Sequence, residues 1–276
     1  MDIDEISRER EEIIKKHGEW TAHNIHLKGE TYTMGNRIAG DEVKLRRVFQ
    51  IVSDISEKPL NQLRILDLAC LEGLYGIEFA RHDAEVVAIE GRKANFEKAR
   101  FSKAILSLHN LDVQQGDVRN LSRERYGYFD VVLCLGILYH LNVPDVFQFL
   151  EQVVQVCTRL AVIDTHISLT PEKSFVYKGR EYRGKEYIET WAASPSVERE
   201  KSSWASLDNP KSFWFTRSSL LNLLSHIGFT SVYECYVPEE AQKPADRITL
   251  AAIKGKPQHL ISCPLLNARM PEEIPE

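Results

Sequence analysis

The five cysteines of this 276-residue chain form no C-x-x-C pair, and Cys70, Cys134, Cys157, Cys235 and Cys263 mostly sit inside apolar runs. That pattern excludes a disulfide framework and reads as buried, reduced thiols, so the expected address is cytoplasmic. No H-x-x-x-H spacing or cysteine cluster supplies local metal ligands, and no metal is expected. Long apolar runs are missing as well. None approaches the ~20 residues that span a bilayer, and the opening Met1-Asp2-Ile3-Asp4-Glu5 is too acidic for a signal or transit peptide. No membrane partner is therefore expected. Excess positive charge is also lacking: the formal net charge is −5 and the pI about 6.0, which disfavours a nucleic-acid partner while leaving room for a local basic groove. What remains, 43% hydrophobic and 27% charged residues, is ordinary for a globular enzyme with a substantial core.

The apolar pattern divides the chain. Ile3, Ile6, Ile13 and Ile14 put a narrow stripe on a helix over 2–17, stopped by Gly18. The segment Trp20-Thr21-Ala22-His23-Asn24-Ile25-His26-Leu27 reads as extended chain before a helix near 41–56. From residue 63, short apolar runs alternate with amphipathic stretches. Strands at Leu63–Ala69, Glu85–Glu90, Val113–Gln115, Phe129–Leu135 and Leu160–His166 are separated by helices near 73–82, 92–109 and 143–157. Strands and helices alternating at this length require crossovers, hence a mainly parallel sheet with helices on both faces.

The alternation stops at 168–215. Nine of the chain's twenty-five aromatics fall within 171–217, and Phe175–Arg183 alternates as a hairpin turning near Lys178-Gly179. This is read as an inserted cap. A helix near 217–226 closed by Gly228, and strands near 230–237 and 247–254, complete the core. The expected organisation is a helical flank or lid (1–58), a core (59–167 and 216–256), a cap that encloses the acceptor (168–215) and a disordered tail (257–276).

Arg64–Gly76 is an apolar strand running into a small-residue turn and a helix, the place in a doubly wound sheet where backbone approaches a ligand. Ala69 and Gly73 permit that approach. Glu90 ends the next strand 23 residues after Asp67, at the spacing of a carboxylate that accepts both hydroxyls of an unphosphorylated ribose. Asp117, after the third strand, stands in reach of an adenine ring and its exocyclic amine. The glycines of a dinucleotide pyrophosphate turn are missing, which disfavours a nicotinamide-dependent dehydrogenase.

These elements, with Phe129–His140 after them, resemble the class I, Rossmann-like S-adenosylmethionine-dependent methyltransferases over roughly residues 60–167 and the closing strands. The resemblance implies a doubly wound, seven-stranded, mostly parallel α/β sheet. It implies S-adenosyl-L-methionine as cofactor, S-adenosyl-L-homocysteine as product, and a cofactor site of Asp67, Ala69, Cys70, Gly73, Glu90, Gly91, Asp117, Val118, Leu135 and Gly136. Of the glycines in D-x-G-x-G-x-G only Gly73 is kept; Ala69 and Leu71 take the other places. Asp67–Tyr75, Cys134–Leu141 and Ser212–Thr216 further resemble the branch related to tRNA wobble-uridine carboxymethyl transferases, which also holds small-molecule methyltransferases.

For the acceptor, His140 beyond the fourth strand, and Asp164 and His166 on one face at the end of the fifth, are candidate acid–base groups. Each has a plainer reading, His140 as a packing partner of Tyr139 and Leu141, the others as a polar strand end. Trp20, His23, Tyr139, Tyr177, Trp204 and Trp214 are candidate acceptor-binding residues, although His23 and His26 also read as exposed loop histidines and the cap aromatics as ordinary core. Nine Lys/Arg against seven Asp/Glu over 171–217 give the cap no evident phosphate groove. The expected reaction moves a methyl group to an oxygen or nitrogen of a small organic acceptor. The alternatives are an RNA methyl or carboxymethyl transferase and a non-catalytic cofactor-binding protein.

Overall fold

The computed structural model describes residues 2–35, 41–189, 205–236 and 244–256. Its central sheet has seven strands: β3 (Arg64–Leu68), β4 (Glu85–Glu90), β5 (Leu111–Gln115), β6 (Phe129–Leu135), β7 (Cys157–His166), β11 (Ser231–Cys235) and β12 (Arg247–Ile253). They lie in the order β5-β4-β3-β6-β7-β12-β11, with β12 antiparallel to both neighbours and the pairs β5-β4, β4-β3, β3-β6 and β6-β7 parallel. The chain steps outward through β4 and β5, then returns to the other side of β3. The switch point falls between β3 and β6, and a crevice opens there at the carboxyl ends of the strands.

Both faces of the sheet are buried, which is why its strands read as continuous apolar runs rather than as alternations. Leu66, Leu68, Val132, Cys134, Ala161 and Ile163 pack on one face with α6 (Asp145–Val156), which lies beside the single-turn α5 (Arg123–Tyr126), and with α7 (Arg217–Ile227). Ile65, Val131, Leu133, Leu160 and Val162 point the other way, toward α3 (Leu74–Arg81) and the N-terminal flank. At roughly 1.5–3 kcal/mol for each fully buried aliphatic side chain, this double layer is the main stabilising term. Burial also pushes the thiols of Cys134 and Cys157 up to about 12, so both stay protonated and apolar in behaviour.

The flank begins with α1 (Ile3–His17). Asp2 caps it by accepting the Glu5 N–H at 2.8 Å, and Gly18, at φ +79°, ends it. Ile6 on its buried face packs with α1 onto α4 (Lys93–Ile105). A short hairpin, β1 (His26–Lys28) and β2 (Thr31–Tyr32), leads to α2 (Asp41–Ile55), which lies against β7.

Between β7 and α7 stands a separate three-stranded antiparallel sheet, β8 (Lys173–Tyr177), β9 (Arg180–Ile188) and β10 (Lys211–Phe215), in the order β10-β9-β8. Lys178 and Gly179 both have positive φ, 48° and 77°, as a two-residue hairpin turn demands.

Four expectations are corrected. The helix after β4 ends at Ile105 rather than near 109, and β5 starts two residues earlier than expected, at Leu111. The chain turns through Ser107 at φ +53°, so 106–110 form a connection that apolar spacing alone does not mark. The fifth core strand starts at Cys157, directly after α6, because Phe129 of β6 already pairs with it. The cap aromatics divide: Tyr182, Phe213 and Phe215 belong to the core beside Phe147, and Tyr177 stacks on Phe147 at 4.6 Å. Trp204 and the 257–276 tail lie outside the described residues.

Candidate active site

The turn after β3 carries backbone strain. Ala69, Leu71 and Gly73 all adopt left-handed φ, 52°, 53° and 92°. Glycine accepts this freely, whereas Ala69 and Leu71 cost roughly 1–2 kcal/mol each. Surrounding bonds hold the shape. The Leu71 N–H donates to Glu90 at 2.9 Å. The Glu72 carboxylate, fully buried, accepts the N–H groups of Thr21, Ala22 and His23 at 2.7, 3.1 and 3.0 Å and pairs with Lys98 at 3.2 Å. The Leu74 N–H at the start of α3 donates to His23 Nδ1 at 3.2 Å. The N-terminal flank is thus bolted to this strained loop.

Beyond the loop lies a cavity of about 380 Å3, in the size range of small-molecule sites. One end is acidic. Glu90 accepts the Leu71 N–H on one oxygen and the Arg92 N–H on the other at 2.7 Å, and each oxygen retains a further lone pair. Asp67 accepts the Gly76 N–H at 3.0 Å. Burial pushes each carboxyl up to about 7, against the opposing pull of these N–H donors. Ala69, Cys70, Gly91, Val118, Leu135 and Gly136 line the same space, while Gly73 stands behind the wall against Ala99.

A strap from the cap covers this end. Arg92 donates to the carbonyls of Ala205 and Ser206 at 2.7 and 2.9 Å, and Leu207 sits so close to Gly91 that a Cβ there would lie 2.5 Å from its methyl. Arg119 grips Asp117 through both carboxylate oxygens and reaches Asp208 at 2.8 Å. Burial would raise the Asp117 carboxyl, but the Arg119 bonds outweigh it and hold the group low. Asp117 therefore borders the cavity as an ionised group already shared with Arg119, and less of it is open to a base amine than the sequence implied.

The opposite end is organised around β6, β7 and β12. Asp164 accepts from Arg247 Nε at 2.7 Å and from Thr249 at 2.8 Å, and pairs with Lys44 at 3.0 Å. Burial would raise its carboxyl, yet the two cations hold it well below the usual range, so it is a poor proton acceptor. His166 bonds Asp246 through Nδ1 at 2.9 Å, and its Nε2 lies 3.4 Å from an Arg247 N–H donor. It stacks on Trp214 at 5.0 Å, behind Tyr139 and outside the cavity wall. Burial lowers its pKa, offset in part by Asp246.

His140 differs. It borders the cavity, and Glu189 sits 3.0 Å from its Nδ1 through both carboxylate oxygens.

Of the proposed acceptor-binding residues, His23 and Tyr139 line the cavity. Trp20 does not: it is buried against Phe101 and Lys98 in the flank. Tyr177 faces α6, and Trp214 braces Tyr139 from behind, its indole N–H donating to the Tyr139 carbonyl at 2.9 Å. Sequence reasoning missed Lys44, Arg47, Glu72, Arg92, Arg119, Glu189 and Arg247. Among these, Glu72 alone carried a local signal, as the acidic residue inside the glycine-depleted loop; the others arrive from elements distant in sequence.

Residues 65–159 match a family described as a methyltransferase domain. The ubiquinone biosynthesis O-methyltransferase of Pelagibacter ubique is 28% identical over 146 residues, 53% of this chain and 58% of that protein. The corresponding protein of Maricaulis maris is 33% identical over 91 residues, 33% of this chain and 35% of its own. The match thus spans little more than half the length of the first of these curated relatives and about a third of the second. Among solved structures, the N-terminal domain of EvdMO1 in the presence of SAH and D-fucose superposes with a TM-score of 0.70 at 22% identity, covering 92% of this chain and 98% of that one. Magnesium protoporphyrin IX methyltransferase from Synechocystis PCC 6803 with bound SAH gives 0.53 at 14% identity, covering 78% and 84%. The fold is that of the class I methyltransferases, and residues 65–159 are where sequence and fold agree on it.

Proposed function

We propose that this chain is an S-adenosyl-L-methionine-dependent methyltransferase acting on a hydroxyl oxygen of a small organic acceptor. The observation that carries the reading is a single cavity with the Glu90 carboxylate and the Ala69–Gly73 turn at one end and His140 at the other. The residues present fit the cofactor. Glu90 keeps lone pairs for two ribose hydroxyls, and Val118 and Leu207 give apolar walls for a flat base. Asp67 and Glu90, weakly compensated, favour a cationic ligand. When bound, the cofactor supplies an electrophilic methyl carbon.

The chain's own groups then position the acceptor and exclude water, which accounts for much of the acceleration in a displacement with a good leaving group. A hydroxyl acceptor also needs its proton removed, and His140 is the group placed to take it. Cap residues Glu189, Asn209 and Trp214 brace the acceptor end, and flank residues Thr21, Ala22 and His23 brace the cofactor loop. The relatives named as O-methyltransferases, and EvdMO1 crystallised in the presence of a sugar, support oxygen as the accepting atom. No helix among the described residues is long and apolar enough to cross a membrane; the cytoplasmic address remains part of this proposal. The resemblance to the tRNA carboxymethyl transferase branch makes RNA the competing acceptor, to be recognised by an affinity that falls steeply with salt.

The test is incubation with methyl-labelled S-adenosylmethionine and two hydroxyl acceptors, catechol and D-fucose, read by mass spectrometry. Methyl ether formation supports the reading; failure of the protein to bind either S-adenosylmethionine or its demethylated product contradicts it.

A further inference from the structure

The turn that carries His140 lies between β7 and the cap, and the cap supplies the hydrogen bonds to its carbonyls. It is a single 3-10 turn, Leu138–His140, too short to fix its own side chains. Three successive carbonyls bind the cap instead: Tyr139 accepts the Trp214 indole N–H at 2.9 Å, His140 accepts the Asn209 side-chain amide at 3.0 Å, and Leu141 accepts the Phe213 N–H at 2.9 Å. The imidazole is held in the same way. Glu189 follows directly after β9 and is anchored by its own N–H to the Pro210 carbonyl at 2.9 Å. Its carboxylate, 2% exposed, sits at 3.0 Å from Nδ1 and accepts the Ser206 N–H at 3.1 Å. No hydrogen-bond partner for Nε2 is found among the described residues.

We infer that Glu189 is the positioning residue for methyl transfer, fixing His140 as the tautomer with its proton on Nδ1 and a bare Nε2 toward the acceptor. The inference rests on the methyltransferase reading above. A carboxylate accepts only, so Nδ1 must donate and Nε2 must be the basic nitrogen in the neutral ring. As the acceptor oxygen forms its bond to the methyl carbon, the carbon–sulfur bond breaks and its electron pair stays with sulfur; the hydroxyl proton passes to Nε2. The imidazolium so formed lies against the Glu189 carboxylate, which offsets its charge.

The arrangement also explains why the other candidates do not serve. Both ring nitrogens of His166 already face partners, Asp246 and Arg247, and Asp164 is locked by Lys44, Arg247 and Thr249. In addition, Ser206 belongs to the strap that Arg92 holds over the cofactor end, so the same few residues tie the base to the nucleoside side of the cavity.

The test is 15N NMR of histidine-labelled full-length protein, with and without S-adenosylhomocysteine, with His140→Gln used to assign the His140 ring. In the wild type, the neutral ring is expected to show a protonated Nδ1 and a bare Nε2, as two well-separated resonances. Glu189→Gln, whose amide can donate to Nδ1, is expected to admit the Nε2–H form and reduce that separation, while calorimetric affinity for S-adenosylhomocysteine stays within about twofold. A wild-type ring protonated on Nε2, or a tautomer unchanged in a folded Glu189→Gln protein, overturns the inference. Absence of S-adenosylhomocysteine binding in the wild type would strike the functional reading instead, since the ring measurement stands without ligand.

Discussion

The two ends of the cavity handle buried carboxylates in opposite ways. At the cofactor end, Asp67 and Glu90 are held mainly by backbone N–H groups, and burial pushes both up to about 7. At the acceptor end, Asp164 is saturated by Lys44, Arg247 and Thr249 and Glu189 faces His140, and Asp164 is held far below its ordinary range despite burial. A carboxylate only partly compensated is costly until a ligand with donor groups or positive charge arrives; a fully compensated one is structural from the start. On the function proposed above, the first end would receive the ligand and the second would hold the base in place.

The largest expected effect separates the ends by chemistry. His140→Gln should lower kcat by ~10²–10⁴, the usual contribution of a general base, and leave S-adenosylhomocysteine affinity unchanged in calorimetry. Equal loss of cofactor binding would dissolve the division. Next, Arg247→Met leaves Asp164 with one cation rather than two; thermal or urea unfolding should show a loss of about 3 kcal/mol.

The pH dependence sharpens the contrast. Asp67 and Glu90 are protonated in the fold up to about 7, while in the unfolded chain they ionise near their ordinary values of 3.8 and 4.5. Their raised values give stability that is complete below those lower values and lost as pH rises through about 7, so the melting temperature of the ligand-free protein should fall across that window. Asp164 has the reverse sign, its contribution being lost only as pH falls below 3.8. Affinity for cationic S-adenosylmethionine should climb with pH up to about 7, by at most about tenfold per unit for each group, and more steeply than for the uncharged sulfur of S-adenosylhomocysteine. The smallest effect is local: Ala69→Gly should stabilise by about 0.5–1 kcal/mol in urea unfolding, the relief of left-handed strain less the entropy gained by the unfolded chain.

Much of the fold was legible because its signals are local. The apolar runs of β3, β4 and β6, the Gly18 stop after α1 and the Lys178-Gly179 turn each declare themselves within a few residues. That Ala69, Glu90 and Gly91 share one cavity was legible for the same reason, since they follow directly from strand ends. The acceptor end was not. Glu189 meets His140 across 49 residues, Arg247 meets Asp164 across 83, and the strap meets Arg92 across 114, contacts that no period or motif encodes. Aromatic richness in the cap misled for a related reason: composition does not say what an aromatic faces, and Tyr177 packs on α6 while Trp214 braces Tyr139 from behind. The replacement of two loop glycines was visible in sequence, but its compensation by Glu72 and residues 21–23 required the fold.

The most direct measurement is calorimetric titration of S-adenosylhomocysteine into wild type, Glu90→Ala and His140→Gln. The account expects binding by the wild type and by His140→Gln with similar affinity, and a loss of about a hundredfold or more in Glu90→Ala, as two charge-assisted ribose hydrogen bonds disappear. Undiminished binding by Glu90→Ala, or none by the wild type, would contradict it.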